Sequence, residues 1–232
     1  MRRLCFWPVY GMLALLIVLP AAGCALNQGR VSEDFHTTLA VAPAAITVHN
    51  AVGGIDVKAW DKPGVEIDAH KRGSSLDDVR AITISVQPSG STLVVTSHFP
   101  ATSSNCAVEY TIYAPAHTNL DLDESIGGIR SSGFTGDVHE TTSTGAIAAS
   151  MAAAGGTQHI DLNVSVGAIE LTIPPESSAR ISAATSIGAI KADFPLSHSG
   201  NFLSSSAKGS IGNGDARIEL TTATGAIAIR RE

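Results

Sequence analysis

The sequence predicts an all-β fold: a repetitive β-solenoid of β-helix or β-roll type, with two strands per coil and an antiparallel capping region on its N-terminal side. Three observations carry this reading. A short phrase recurs six times around a glycine: Gly53-Gly54-Ile55, Gly127-Gly128-Ile129, Gly145-Ala146-Ile147, Gly167-Ala168-Ile169, Gly188-Ala189-Ile190 and Gly225-Ala226-Ile227. Seven residues before each glycine stands a branched apolar residue, namely Ile46, Leu120, Val138, Ile160, Ile181 and Ile218. A spacing that never slips marks a structural repeat. Aromatics make up only 5% of the chain against 44% hydrophobic residues, so the core must be narrow and built from Ile, Val, Leu and Ala.

The elements follow in chain order. Residues 1–23 read as a lipoprotein signal peptide: a basic start at Arg2 and Arg3, an apolar run centred on residues 12–19, then Ala21-Ala22-Gly23 before Cys24. That ending resembles a bacterial lipobox, with Ala21 where a leucine is usual, and makes Cys24 the expected lipid anchor. Ordinary cleavage nearby and an uncleaved anchor are the alternatives; the apolar run is short of the ~20 residues a bilayer needs. Residues 24–40 are polar and mixed, as expected of a tether. The domain then runs over 41–232, with 56–119 as its irregular, antiparallel part and 120–232 as its regular repeats.

Within 56–119, Val65–His70 reads as a strand and Ser74–Arg80 as a short serine-capped helix. Ile82–Val86 and Leu93–Thr96 flank Pro88-Ser89-Gly90-Ser91, a hairpin signal. Ala107–Tyr113 is a further strand, closed by Pro115. In the repeats, one strand precedes each glycine and another follows it, as in residues 160–166 and 168–173. The glycines Gly53, Gly127, Gly145, Gly167, Gly188 and Gly225 are expected to form corners, where a backbone without a Cβ bends at least cost. Ile55, Ile129, Ile147, Ile169, Ile190 and Ile227 are then expected to stack as an inward ladder. The long last step, from Gly188 to Gly225, reads as an inserted surface loop, one of the more mobile parts. Open ends of a stack need caps; residues 56–119 would serve at one end and the charges of Arg230-Arg231-Glu232 at the other.

Composition excludes several classes of function. The formal charge is −6, and 13 basic residues remain against 21 acidic once Arg2 and Arg3 leave, near −8. No basic run tracks phosphates, which argues against nucleic acid. The three cysteines are Cys5 in the signal, Cys24 at the anchor and Cys106. The mature chain therefore makes no internal disulfide. Cys106 reads as a small buried residue, with a reactive thiol as the alternative.

The order Val108-Glu109-Tyr110-Thr111-Ile112-Tyr113-Ala114-Pro115, then Asn119-Leu120-Asp121-Leu122, then repeated Ser-x-Gly-Ala-Ile, resembles the bacterial "putative adhesin" domain family, over about residues 40–232. The resemblance implies a β-solenoid-like stack in an envelope or membrane-attached protein. It brings no ligand and no catalytic residues.

Outward positions form two columns: Thr47, Asp121, His139, Asp161, Ser182 and Glu219, then His49, Asp123, Thr141, Asn163, Ala184 and Thr221. Asp121, Asp123, Asp161 and Asn163 are the candidate binding face. Oxygen ligands of this kind suit Ca²⁺, but the acids sit on alternate coils without the glycine–aspartate spacing of calcium-binding rolls, so a solvated polar face is the plainer reading and no metal is expected. Glu170 and Lys191 are expected on neighbouring rungs as an exposed pair. Asp121 and Asp123 point the same way ~7 Å apart. A polysaccharide-acting enzyme would also need a basic partner and aromatic sugar platforms; Trp60 lies in the irregular region and reads as packing. The eight histidines are scattered without zinc-type spacing, and no phosphate loop is present. No cofactor is expected. The chain thus reads as an exported, lipid-anchored, non-enzymatic stack that presents an outer face to a protein or glycan. A structural or envelope-stress scaffold that self-associates is the alternative.

Overall fold

The computed structural model describes residues 31–40, 42–100, 105–201 and 203–232. The signal peptide and Cys24 lie outside the described residues. The described residues are all-β apart from one short helix, as the repeat and the composition predict.

The first strand is β1 (Val31–Leu39), which pairs antiparallel with β3 (Val65–Gly73). The stretch expected as a tether to residue 40 is therefore part of the fold from Val31 onward. Its alternation is masked in sequence because both of its faces carry polar residues, and only Phe35 and Leu39 pack on the core. Between β1 and β3 in the chain, but not between them in the sheet, comes β2 (Ala45–Trp60), the first rung. Helix α1 (Leu76–Ala81) starts at Ser75, whose hydroxyl accepts from the Asp78 N–H at 3.1 Å. Strands β4 (Thr83–Ser89) and β5 (Thr92–His98) form the expected antiparallel hairpin, and β6 (Ala107–Pro115) follows.

The repeats are long strands that run through their glycines: β7 (Asn119–Phe134), β8 (Val138–Met151) and β9 (His159–Ile173). In the last two repeats the strand breaks at the glycine. They comprise β10 (Ala179–Ile187) with β11 (Ile190–Ala192), and β14 (Ala216–Thr224) with β15 (Ile227–Arg231). Between them, β12 (Ser197–Gly200) and β13 (Ser205–Ile211) form an antiparallel hairpin on the edge of β10. The expected inserted loop is thus folded into the sheet.

Each rung bends just before its glycine. Alternation slips there, because two successive residues are exposed, as in Ser125-Ile126 and Ser165-Val166. The extra residue rotates the second half of the strand, so that both halves turn their apolar sides to one core. Ile46, Leu120, Val138, Ile160, Ile218 and Ile181 line it from the first half, at 3% exposure or less. Ile55, Ile129, Ile147, Ile169 and Ile227 line it from the second, while Ile190 is only partly buried. Each fully buried side chain of this size contributes roughly 1.5–3 kcal/mol. At the bend the six glycines adopt φ of +140° to +156°, and they stack carbonyl upon Cα. A β-carbon on Gly145 would lie 1.7 Å from the Gly127 carbonyl oxygen.

The rungs do not stack in chain order. Sheet order is β1-β3-β6-β2-β7-β8-β9-β14-β10-β13-β12, with β5 and β4 continuing from the first half of β2, and β15 and β11 from the second half of β9. The last repeat is inserted between the fourth and fifth. On the side away from β8 the residue beside Glu170 is therefore Ala228, and Lys191 lies one strand further out. The expected Glu170–Lys191 pair does not form; Glu170 Oε1 instead meets Arg230 Nε at 2.5 Å. The C-terminal charges do not cap the stack either. They lie within it, with the Arg231 guanidinium 5.1 Å above the Phe194 ring. Among the described residues, no helix is long and apolar enough to cross a membrane.

Candidate functional site

Two outer faces carry the titratable side chains. The first is the outer side of the pre-glycine halves. Asp121 and Asp123 stand on β7, and Asp161 and Asn163 on β9. His139 and Thr141 of β8 come between them in register. Two strand spacings separate the β7 and β9 acids by roughly 9.5 Å. Histidines break up the acidic rows: His139 Nδ1 lies 3.4 Å from Asp161 Oδ2, and His49 Nδ1 lies 3.7 Å from Asp123 Oδ2. Because β14 is the neighbour of β9, Glu219 also stands beside Asp161, and it contacts Arg217. These acids do not converge on a common point. The face is a flat grid of half-exposed polar side chains, with imidazoles interleaved among carboxylates.

The second face lies on β1, β3 and β6. Antiparallel pairing sets His36 against Asp68 and Asp34 against His70. In both pairs the imidazole Nδ1 is 2.6 Å from a carboxylate oxygen. The Asp68 hydrogen bond raises the pKa of His36 above its ordinary value. Arg72 of β3 contacts Glu109 of β6. Glu66, two residues from Asp68 on β3, points to the same side, and its carboxylate joins His36 and Asp68 in a cluster whose ligand atoms all lie within 4.8 Å of one another. Sequence reading missed this cluster, because β1 was read as a tether. The only signal was the spacing of Asp34 and His36 against Asp68 and His70, two alternating pairs that match only once an antiparallel register is known.

Buried polar side chains also line the inside of the stack. Three residues before each glycine, the inward column reads Asn50, Glu124, Thr142, Val164, Thr222 and Thr185 in sheet order. The threonines donate to glycine carbonyls of the next rung: Thr142 to Gly127 at 3.2 Å, Thr185 to Gly225 at 3.1 Å and Thr222 to Gly167 at 3.4 Å. Asn50 Nδ2 donates to the Val108 carbonyl at 2.9 Å and to Glu124 Oε2 at 2.8 Å. Burial pushes Glu124 up to about 8, against the pull of the Asn50 hydrogen bond. Glu140 is fully buried in the column between Leu122 and Leu162. Neither of its oxygens, nor the Ser131 hydroxyl, meets hydrogen-bond geometry among the described residues. Burial pushes its pKa up to about 7, and the nearby Ser131 dipole opposes that shift only in part.

The remaining candidates are packing. Trp60 stacks on Tyr113 with ring centroids 5.5 Å apart, and its indole N–H donates to the Gly64 carbonyl at 3.1 Å. Cys106 is 7% exposed at the start of β6. An open apolar groove of about 660 Å³ runs between Leu39, Pro43, Pro88 and Leu93.

Comparison with known proteins agrees with this architecture. A putative cell adhesion protein from Clostridium sporogenes shares the fold at a TM-score of 0.58 and 12% identity, over 87% of this chain and all of that one. Putative adhesins from Bacteroides fragilis and Parabacteroides merdae align at 12% and 9% identity, with TM-scores of 0.28 and 0.31. They cover 85% and 86% of this chain, and 97% and 96% of their own. No curated protein matches the chain. The Toastrack DUF4097 family model matches residues 44–230, from just before the first rung to the last residues of β15. With that match spanning every rung of the stack, the chain belongs to the Toastrack DUF4097 family.

Proposed function

We propose that this chain is an exported, lipid-anchored, non-enzymatic β-stack that presents its outer face for adhesion to a protein or glycan at the cell envelope. One observation carries the reading. Asp121, Asp123, Asp161 and Asn163, with His139 and Thr141 between them, form a flat registered grid of exposed hydrogen-bonding groups on a rigid frame. A grid of that kind suits a broad, shallow contact better than the enclosure of a small substrate. The likeness in fold to the putative cell adhesion protein from Clostridium sporogenes supports the same direction. Cys24 would hold the stack to a membrane, and the residues before Val31 would be its tether.

The test is protease shaving of intact cells, read with an antibody to the C-terminal end and with Cys24→Ala as control. Loss of signal from intact cells is expected. Arrays of glycans and matrix proteins would then be probed with the full chain and with an Asp121→Ala/Asp161→Ala variant, which should bind less. Protection until the envelope is opened would overturn the adhesive role. It would favour the second reading, a periplasm-facing scaffold that self-associates, which is supported by the terminal strands β1 and β12 of the open sheet.

A further inference from the structure

We propose that His36, Glu66 and Asp68 form a binding site for a borderline divalent cation such as Zn²⁺, clipping the edge strand β1 to β3. The site is independent of the adhesive reading and lies on the opposite layer of the stack from Asp121 and Asp161.

The geometry comes from strand pairing. His36 on β1 stands directly opposite Asp68 on β3, and Glu66 is two residues along on the same side of β3. Side chains at such positions project in one direction from the sheet. One ring nitrogen and one oxygen from each carboxylate lie within 4.8 Å of one another. Zn–N and Zn–O bonds are each about 2.0–2.2 Å, so the three side chains would draw in toward a shared ion by a small adjustment. The donor set decides the class of ion. One imidazole and two carboxylates make a mixed nitrogen–oxygen set with no sulfur, which suits Zn²⁺ and its neighbours better than the all-oxygen preference of Ca²⁺ or Mg²⁺. Three protein ligands leave a position open to water or to a partner's donor.

The surroundings favour a cation. The site borders a shallow groove of about 330 Å³ lined by Asp34, His70 and Glu109 as well as His36 and Asp68. Arg72, the nearby cation, is taken up by Glu109. Asp34–His70 repeats the His–carboxylate pairing one step along the ladder and offers a second, weaker pair of donors. An edge strand also gains most from such a clip, because β1 is bonded along one side only.

The experiment is calorimetric titration of the full purified chain with ZnCl₂ after EDTA treatment, together with imidazole NMR of the same sample. One equivalent of Zn²⁺ should bind saturably, with the His36 ring signals shifting in step. MgCl₂ in excess should not displace it. His36→Ala and Asp68→Asn should each weaken binding by at least the ~tenfold that loss of even an outer-shell partner costs. His139→Ala, on the other face, should leave it unchanged. If the variants melt below the wild type in EDTA, Glu66→Gln and the wild-type NMR titration decide. No saturable uptake, uptake without a change at His36, or equal loss in His139→Ala would each overturn the assignment.

Discussion

The carbonyl oxygen of Gly145 stands 1.6 Å from where a β-carbon on Gly167 would lie. The two glycines occupy the same position on adjacent rungs, and the strands there approach more closely than any side chain permits. Gly167→Val should therefore be severely destabilising, by about 3 kcal/mol or more, from backbone strain at φ +146° together with the clash. Gly155→Ala, which meets nothing within 4 Å, should change stability by less than about 0.5 kcal/mol. Chemical denaturation of the two variants side by side checks the contrast.

Rung order is open to cross-linking. Glu170 and Ala228 are register partners on adjacent strands, whereas Lys191 is two strands from Glu170. A disulfide spans Cα atoms up to about 6.8 Å apart. The Glu170→Cys/Ala228→Cys pair should oxidise to an intramolecular disulfide, and Glu170→Cys/Lys191→Cys should not. Peptide mapping under non-reducing conditions distinguishes them. The reverse result would mean that the rungs stack in chain order.

Glu140 makes stability depend on pH. Its carboxyl titrates near 4.5 in the unfolded chain and at about 7 in the fold, so the fold favours the protonated form. That contribution is fully present below pH 4.5 and is lost as the pH rises through 7, a change on the order of 3 kcal/mol. Glu124, held up to about 8, acts in the same direction. Glu140→Leu matches its column neighbours Leu122 and Leu162. It should raise the urea midpoint at pH 8 and flatten the difference between pH 4.5 and pH 8.

Asn50 and Glu124 should prove coupled. Asn50→Leu removes the buried donor to Glu124 and to the Val108 carbonyl, at a cost of about 1–3 kcal/mol. Combining it with Glu124→Leu should cost less than the sum of the single changes by about 1 kcal/mol or more. Strict additivity in the cycle would show that the hydrogen bond contributes nothing.

Exposed pairs are expected to matter little. Glu170→Ala breaks the contact with Arg230, but both side chains are about half exposed, so the loss should stay under about 1 kcal/mol and shrink further in high salt. A thermal melt at two salt concentrations reads this directly.

Much of this protein was legible in its residues alone. The glycine phrase, the branched residue seven positions before it and the isoleucine two after it determined the rung, its inward columns and the all-β class. Those features are local: period-2 alternation and the lack of a Cβ act within a few residues of where they are written. The serine cap of α1 and the β4–β5 hairpin were legible for the same reason. Tertiary structure alone decided which rungs are neighbours. The interaction that inserts β14 between β9 and β10 is non-local, and each Gly-Ala-Ile copy would fit beside any other. That choice separated Glu170 from Lys191 and placed Glu219 beside Asp161. The role of residues 31–39 was likewise decided by pairing, because a polar edge strand shows little alternation until its partner supplies the core. The His36–Asp68 cluster follows from the pairing of β1 with β3, whereas Glu140 is buried by its place two residues after Val138 in the inward column, where β7 and β9 set leucines on either side of it.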